Sequence, residues 1–234
     1  SLELGRREAV IDAPLIVGDI ADRDLVTATC NEHGVTQLVH FAAYKAVGES
    51  MESPAKYWRN NVAGSVELYE ACLASGVQDV VFSSSCSVNG TPAVVPVTES
   101  APIHPESVYA ESKAMVERIL YWYGQTSGLQ SVALRYFNAA GASLDGRIGE
   151  DWTHSQNLIP LAMKAVLLKD RRLKVFGDYY DTPDGTCIRD YIHVEDLARA
   201  HLDALAHLRG GGASLTLNCG YGHGFSVLEV IDTV

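Results

Sequence analysis

Tyr109 and Lys113 are the residues whose types and spacing most readily suggest catalysis in this sequence. They stand four positions apart in Tyr109-Ala-Glu-Ser-Lys113, and residues four apart lie on the same face of a helix. The ammonium group can therefore sit beside the phenol and lower its pKa from the usual value of about 10, which makes the tyrosine a usable base near neutral pH. Because the same spacing occurs on ordinary solvated helix faces, the pair alone does not establish a site.

Three consecutive serines end a predicted strand, at the place where an α/β sheet presents its ligand groups. The run is Asp79-Val-Val-Phe-Ser-Ser-Ser85. Hydroxyls in an otherwise apolar strand need polar partners, although a simple strand-end cap would also satisfy them. With the long irregular stretch Cys86–Glu106 and the Tyr109/Lys113 pair, Ser85 completes a pattern of hydroxyl, phenol and ammonium groups.

Short apolar runs alternate with longer helical patterns, and this alternation predicts the elements that position these groups. Runs that are apolar throughout are typical of strands covered on both faces. Their alternation with helices predicts an α/β fold with a doubly wound parallel sheet. The predicted strands are Leu15–Val17, Gln37–Phe41, Asp79–Ser84, Ser131–Phe137, Leu173–Phe176 and Leu215–Asn218. The predicted helices are Asp22–His33, Pro54–Ser75, Ser107–Thr126, Leu158–Lys169 and Val194–Leu208.

Length, charge and cysteine usage narrow the class of protein. The chain has 234 residues and a net charge of −11, so we expect no nucleic-acid partner, since an acidic chain is a poor general binder of phosphate backbones. No apolar run is long enough to cross a membrane, and we expect no membrane partner. The five cysteines are odd in number and scattered, which is typical of reduced thiols in a cytoplasmic protein.

Two further patterns concern metals and the chain ends. His201 and His207 fall on different helix faces, and the histidines as a whole show no metal-ligand spacing, so we expect no metal. The chain begins at Ser1 without a methionine and stops at Val234 inside a helical pattern. We therefore expect a piece of a longer protein, truncated at both ends.

One glycine-rich turn superficially resembles a dinucleotide-binding loop. The usual fingerprint is Gly-x-Gly-x-x-Gly after a first strand, whereas Gly220-Tyr-Gly222-His-Gly224-Phe-Ser226 carries Phe225 at the third glycine position. We interpret this segment as a strand-to-helix turn in which Ser226 is the N-cap. A phosphate loop, if the protein has one, would lie on the missing N-terminal piece.

A series of short segments matches, in order, the motifs of a known family. They are Gly18-Asp-Ile20, Phe41-Ala-Ala-Tyr-Lys-Ala-Val-Gly-Glu-Ser50, Asn60-Asn-Val62, Phe82-Ser-Ser-Ser85, Tyr109-Ala-Glu-Ser-Lys113, Arg135-Tyr-Phe-Asn138, Asn157-Leu-Ile-Pro160 and Arg189-Asp-Tyr-Ile-His-Val194. Through them the sequence resembles the extended short-chain dehydrogenase/reductases, and among these the NAD-dependent 4-epimerases of UDP-sugars. The resemblance covers nearly the whole chain. It implies a Rossmann-type sheet, here without its first strands, and a small substrate-binding lobe.

The resemblance also implies domain boundaries and a partner. Residues 1–138, with 190–222 returning to them, would form the NAD-binding domain, and residues 139–189 and 223–234 would contribute to the substrate lobe. The protein would be a homodimer paired through the helices Pro54–Ser75 and Ser107–Thr126.

The resemblance implies a role for each site residue. Tyr109 would take the proton of the sugar 4-hydroxyl, Lys113 would lower the pKa of that tyrosine and hold the nicotinamide ribose, and Ser85 would hydrogen-bond the sugar O4. The cofactor NAD would contact Asp19, Ile20, Phe41, Ala42, Ala43, Lys45, Asn60 and Phe137. The UDP-sugar would contact Asn138, Asn157, Leu158, Lys174, Val175, Phe176 and Arg189. Arg189 could clamp the diphosphate or instead pair with an acid such as Asp190.

The implied activity is the interconversion of UDP-glucose and UDP-galactose by transient oxidation at C4. Two alternatives stay open: an epimerase of another UDP-sugar, and a non-catalytic module that binds NAD or a sugar nucleotide. A 4,6-dehydratase is disfavoured, because relatives with that activity carry Asp-Glu where this chain has Cys86 and Ser87.

Overall fold

The computed structural model describes residues 1–153, 155–168 and 172–234. Its helices are α1 (Arg23–His33), α2 (Val47–Glu52), α3 (Pro54–Tyr57), α4 (Gly64–Ala74), α5 (Val108–Ser127), α6 (Leu158–Leu168), α7 (Val194–Arg209) and α8 (Val227–Thr233). Its strands are β1 (Gln37–His40), β2 (Asp79–Ser83), β3 (Gln130–Tyr136), β4 (Asn138–Ala140), β5 (Ile188–His193), β6 (Leu215–Cys219) and β7 (Gly224–Ser226). Short 3₁₀ turns span Arg7–Ala9 and Cys86–Asn89, and a π-helical segment, Trp58–Ala63, joins α3 to α4.

The chain divides into two compact units. The first comprises Ser1–Arg135 and Ala200–Asn218, and the second comprises Tyr136–Arg199 and Cys219–Val234. The functional domain boundaries expected from the sequence stay a prediction.

The first unit is built on a sheet with strand order β1-β2-β3-β6. β1 and β2 are parallel, with Gln37 opposite Asp79, and β2 and β3 are parallel, with Asp79 opposite Gln130. Val80, Val81 and Val132 are fully or almost fully buried, as expected for strands covered on both faces. The predicted α/β fold with a parallel sheet is confirmed.

The core of this unit lies between the sheet and the helices α1, α4 and α5. It includes Leu68 and Tyr69 of α4, Val116 and Leu120 of α5, and Val80 and Phe82 of β2. Burying one such side chain stabilises a fold by roughly 1.5–3 kcal/mol. This packing therefore holds α5 at a fixed place against the sheet.

Two serines define the ends that matter for the site. The side chain of Ser107 accepts a hydrogen bond from the N–H of Ala110 and begins α5, which ends at Gly128 in the left-handed conformation (φ 73°). Ser85 caps the 3₁₀ turn that follows β2. Both caps satisfy backbone donors that the first turn of a helix leaves without partners.

The second unit contains a small sheet with strand order β4-β5-β7. β4 and β5 are parallel, with Asn138 opposite Tyr191, and β5 and β7 are antiparallel, with Ile188 opposite Ser226. Ser226 and Glu229 form a capping box at the start of α8, so the prediction that Ser226 is an N-cap is confirmed.

Some predicted elements are wrong. Leu15–Val17 and Leu173–Phe176 are not strands, and Ile16, Val17, Val175 and Phe176 are exposed. An apolar run forms a strand only where a neighbouring strand can pair with it, which periodicity does not reveal. The predicted helix Leu158–Lys169 is present as α6 up to Leu168, and Lys169 lies outside the described residues. Among the described residues, no helix is long and apolar enough to span a membrane.

Candidate active site

Lys113 is a buried ammonium group on the first turns of α5. Its side chain lies against the end of β2, where Nζ donates to the carbonyl oxygen of Ser83 at 2.7 Å and lies 4.8 Å from the centroid of the Phe82 ring. Lys113 is only 4% exposed, and this burial lowers its pKa from 10.5 to about 8. Burying a cation is costly, and a buried cation with a shifted pKa is typical of functional sites.

Tyr109 lies on the same face of α5, one turn before Lys113. The Lys113 Nζ is 5.9 Å from the centroid of its ring, so the predicted juxtaposition of phenol and ammonium groups is present. The side chain of Tyr109 is half-buried. A phenol that is partly open and close to a cation is suited to accept a proton.

The backbone of Tyr109 is held from both sides. The Oγ of Ser50, which is fully buried in α2, accepts its N–H at 3.2 Å. The Oγ of Ser112 donates to its carbonyl oxygen at 2.7 Å. Asn61 in turn donates from Nδ2 to the Oγ of Ser112 at 3.1 Å. These contacts fix the position of the Tyr109 backbone, from which its side chain extends.

Asn61 ties this helix to the segment that follows β1. Its Oδ1 accepts the N–H of Tyr44 at 2.9 Å, and its Nδ2 donates to the carbonyl oxygen of Tyr44 at 3.0 Å. Asn61 is buried and belongs to the π-helical segment, a feature frequent at functional sites. Asn61 falls within a family motif, but the resemblance implies a role only for Asn60, whose Nδ2 donates to the Asn61 Oδ1 at 2.9 Å.

The hydrogen bonds of Ser85 leave its hydroxyl free to act as a donor. Its Oγ accepts the N–H of Ser87 at 3.3 Å and the hydroxyl of Ser87 at 2.9 Å. A serine hydroxyl has one hydrogen to donate and two acceptor lone pairs. Since both lone pairs are used, the hydroxyl hydrogen of Ser85 is left to donate.

A buried ion pair lies one turn beyond Lys113. Glu117 accepts from Arg135 through both carboxylate oxygens, at 2.9 and 2.6 Å, and from the hydroxyl of Ser84 at 2.5 Å. This bidentate arrangement locks α5 to the ends of β2 and β3. Glu117 shares the helix face of Lys113, four residues away, which is the signal in the sequence that could have found it.

His40 is buried at the end of β1 and stays neutral. One ring nitrogen is hydrogen-bonded to the Tyr69 hydroxyl at 2.8 Å, and the other to the carbonyl oxygen of Ala42 at 3.1 Å. Burial, aided by the charge of Lys113, lowers its pKa to about 3. A neutral imidazole therefore holds the backbone at Ala42, in the segment that the family resemblance predicts to contact NAD.

The residues expected to contact NAD in the first unit follow β1 or precede α1. Phe41 is 57% exposed, and its ring lies 4.5 Å from that of His201 between centroids in a tilted arrangement. Lys45 and Asp19 are exposed. Ala42 is exposed, Ala43, Asn60 and Ile20 are partly buried, and Asp19 accepts the N–H of Ala21 at 2.9 Å.

The chemical groups of these residues are suited to binding a dinucleotide. They offer an aromatic face, a carboxylate that can accept from adenosine, and a cation for phosphate oxygens. Lys113 also has three N–H groups and one hydrogen-bond acceptor among the described residues, so two of its hydrogens remain for ribose hydroxyls.

The remaining predicted contacts lie in the second unit. Asn138 donates from Nδ2 to the carbonyl oxygen of Asp190 at 3.2 Å, and Arg189 is exposed and donates from Nη1 to the carbonyl oxygen of Ile188 at 3.1 Å. Within the described part of the chain Arg189 pairs with no carboxylate, so its fork is open for an anion. The other predicted contacts lie at separate places along the unit. Phe137 lies between β3 and β4, Asn157 lies before α6, and Leu158 begins α6. Lys174, Val175 and Phe176 lie in an irregular segment, where the Lys174 Nζ is 5.1 Å from the centroid of the Phe176 ring.

The glycine-rich turn after β6 is not a phosphate loop. Asp190 accepts the backbone N–H of Tyr221 at 3.2 Å and that of Gly222 at 2.8 Å. A carboxylate thus takes the donors that a phosphate would need. A side chain at Gly220 would come within 2.7 Å of Asp190, so that glycine serves close packing. Among the described residues, no cluster of three His, Cys, Asp or Glu side chains could hold a metal ion.

Comparison with known proteins identifies the family to which this chain belongs. Residues 3–220 match the NAD dependent epimerase/dehydratase family. The chain is 50% identical over 234 residues to a UDP-glucose 4-epimerase of Azospirillum brasilense, covering all of this chain and 67% of that protein.

Two solved structures are also similar to this chain. One is a UDP-glucose 4-epimerase from Brucella ovis in complex with NAD, with 45% identity, a TM-score of 0.96, and coverage of 99% of this chain and 71% of that one. The other is a UDP-glucose 4-epimerase from Bifidobacterium longum in complex with NAD+ and UDP, with 39% identity, a TM-score of 0.86, and coverage of 93% and 65%. The chain belongs to the NAD dependent epimerase/dehydratase family.

Proposed function

We propose that this protein interconverts UDP-glucose and UDP-galactose with bound NAD, a reaction of galactose metabolism. The observation that carries the proposal is the set of Tyr109, the buried ammonium group of Lys113 and the donor hydroxyl of Ser85, gathered where β2 ends and α5 begins. The relatives named above carry this activity in their names, which supports the same reaction here.

The chain's own residues supply proton transfer and orientation. When bound, NAD would supply the reversible hydride acceptor for oxidation and reduction at C4 of the sugar. Tyr109 accepts the proton of the 4-hydroxyl and gives it back when the hydroxyl is restored, so the reaction consumes neither protons nor electrons. Ser85 donates a hydrogen bond to O4, which is strongest when that oxygen has carbonyl character.

Lys113 contributes through its charge and its donors. The ammonium group beside the phenol stabilises the negative charge that develops on the oxygen of Tyr109 during proton transfer. The carbonyl oxygen of Ser83 fixes the ammonium group by one hydrogen bond at 2.7 Å, and the other hydrogens hold the nicotinamide ribose.

We assign one set of residues to each of the two ligands. We assign NAD to Asp19, Ile20, Phe41, Ala42, Ala43, Lys45, Asn60 and Phe137. We assign the UDP-sugar to Asn138, Asn157, Leu158, Lys174, Val175, Phe176 and Arg189. The open guanidinium of Arg189 is the group best suited to the diphosphate, because its planar fork matches phosphate oxygens.

The test is conversion of UDP-galactose to UDP-glucose by the protein with NAD present. We expect turnover without net accumulation of NADH, because oxidation and reduction occur in the same cycle. No conversion, or one NADH formed per turnover, would contradict the proposal, the latter by indicating a dehydrogenase.

We also propose a homodimer, formed through α5 and the helical stretch Pro54–Ser75. A groove of about 760 Å³ on α5 is lined by Met115 and Trp122 together with Glu111 and Arg118. Glu111 and Arg118 stand two turns apart on the same face, so a second copy packed antiparallel by two-fold symmetry would place each beside its opposite charge. A second copy of this chain is therefore the occupant that best fits the groove.

Light scattering after size exclusion tests the dimer. We expect Trp122→Glu to convert the wild-type dimer to a monomer by placing a charge in the apolar centre of the interface. Trp152→Glu, which changes an exposed tryptophan of the second unit, should leave the dimer intact. A monomeric wild type at micromolar concentration, or a dimeric Trp122→Glu variant, would contradict this interface.

We place the protein in the cytoplasm. None of its five cysteines forms a disulfide, although Cys30 and Cys72 are buried and hydrogen-bonded to each other. Unbridged neighbouring thiols are typical of a reducing compartment.

A further inference from the structure

Ser87 makes its contacts to the predicted catalytic hydroxyl from the 3₁₀ turn after β2. Its hydroxyl donates to the Oγ of Ser85 at 2.9 Å, and its backbone N–H donates to the same oxygen at 3.3 Å. The side chain is half-buried, and Ser85 itself is 9% exposed. Both contacts bring a hydrogen toward the Ser85 oxygen.

These two contacts determine what Ser85 can do. With both lone pairs used, its hydroxyl is a donor only. If the Ser87 hydroxyl were absent, one lone pair would be released. Ser85 could then accept a hydrogen bond from a sugar hydroxyl and turn its own hydrogen elsewhere.

The direction of the Ser85 hydrogen bond matters for the chemistry at C4. A 4-hydroxyl can either donate or accept, whereas the oxygen of a carbonyl can only accept. A hydroxyl fixed as a donor therefore stabilises the carbonyl-like transition state more than the ground state, and such an interaction raises kcat rather than lowering KM.

We propose that Ser87 is a positioning residue that sets the Ser85 hydroxyl as a donor to the reacting sugar oxygen. This inference rests on the proposed function and deepens it. Ser87 acts through Ser85 and needs no contact with the sugar or with NAD.

A double-mutant cycle tests the proposal, with kcat and KM for UDP-galactose measured in each variant. We expect Ser87→Ala to lower kcat roughly 3- to 10-fold, the range of one ordinary hydrogen bond, with KM little changed. Ser87→Thr keeps the hydroxyl and should restore kcat. In the Ser85→Ala background, Ser87→Ala should have no further effect, because the group through which it acts is gone.

The control is Ser100→Ala, which removes an exposed hydroxyl hydrogen-bonded to Thr98 in the loop that follows and should leave kcat unchanged. An unchanged unfolding midpoint in Ser87→Ala shows that the loss in kcat is not a loss of fold. The proposal is overturned if Ser87→Ala matches the wild type, if Ser87→Thr fails to restore kcat, or if the loss is equally large without Ser85. A wild type that turns over UDP-galactose while the cycle is additive rejects this inference alone, whereas a wild type without turnover rejects the proposed function with it.

Discussion

At the scale of single residues, the candidate site depends on which hydrogens and charges the surroundings leave available. Lys113 keeps its ammonium group in a buried position with one fixed acceptor. The hydroxyl hydrogen of Ser85 has no acceptor among the residues that the structure describes. The spacing of Tyr109 and Lys113 and the serine run pointed to these groups. The contribution of Ser87 was not predictable, because spacing does not say which hydroxyl donates.

The burial of Lys113 predicts a dependence of stability on pH. Its pKa is about 8 in the folded protein and 10.5 as an ordinary lysine, so between these values the unfolded chain binds a proton that the folded chain does not. Stability therefore rises with pH across this window, as the penalty for burying the charge disappears. Relative to Lys113→Met, the wild type should gain roughly 2–3 kcal/mol in free energy of unfolding between pH 7 and pH 10.

Urea unfolding of both proteins at the two pH values measures this difference. The comparison cancels other groups that titrate in the same range, and Lys174→Met, at an exposed lysine, serves as the matched control. If the gap between the wild type and Lys113→Met stays constant with pH, the ammonium group does not carry this burial cost.

At the scale of elements, α5 positions the site and is held at its start by two serines. Ser107 accepts the N–H of Ala110 from three positions earlier in the chain, whereas Ser50 of α2 accepts the N–H of Tyr109 across 59 positions of sequence. The local cap is visible in the sequence, because Ser before a helical pattern is a common N-cap. The distant cap is not, since it depends on how α2 packs against α5.

Ser50→Ala should lower the free energy of unfolding by about 1–2 kcal/mol, because it removes the acceptor of the Tyr109 N–H and also the hydrogen bond from the Ser50 hydroxyl to the carbonyl oxygen of Val47. It should also lower kcat, because the freed N–H belongs to Tyr109 itself. Ser107→Ala should cost similar stability, while Ser127→Ala at the exposed far end of α5 should cost little. Denaturant unfolding with parallel turnover assays measures both effects, and a Ser50→Ala variant as stable and active as the wild type would contradict the role of this contact.

The elements that were predicted and those that were missed differ in a physical way. The elements that were predicted have periodic or continuous apolar patterns. They are α1, α5, α6 and α7 and the strands β1, β2, β3 and β6. In contrast, β5 contains Arg189 and Asp190, and β4 and β7 have only three residues each. Their pairing in a small sheet, rather than their own propensity, makes them strands. The predicted helix Pro54–Ser75 is present but is interrupted by the π-helical segment that contains Asn61.

At the scale of the whole molecule, the alternation of strands and helices was enough to predict the fold class, while the activity had to come from the site. Parallel sheets of this type support many unrelated functions. The family match over residues 3–220 narrows the range of reactions to consider, and we propose that Tyr109, Lys113 and Ser85 carry out the chemistry.

The most direct test of this account is the turnover of UDP-galactose by Tyr109→Phe with NAD present. The substitution removes only the phenolic oxygen, and the unfolding midpoint is measured in parallel so that a loss of kcat is separated from a loss of fold. Tyr121→Phe, at an exposed tyrosine of the same helix, is the matched control and should keep wild-type turnover. We predict that kcat of Tyr109→Phe falls by roughly 10²- to 10⁴-fold, the usual contribution of a positioned acid–base group. A Tyr109→Phe variant that converts UDP-galactose at the wild-type rate would contradict the account.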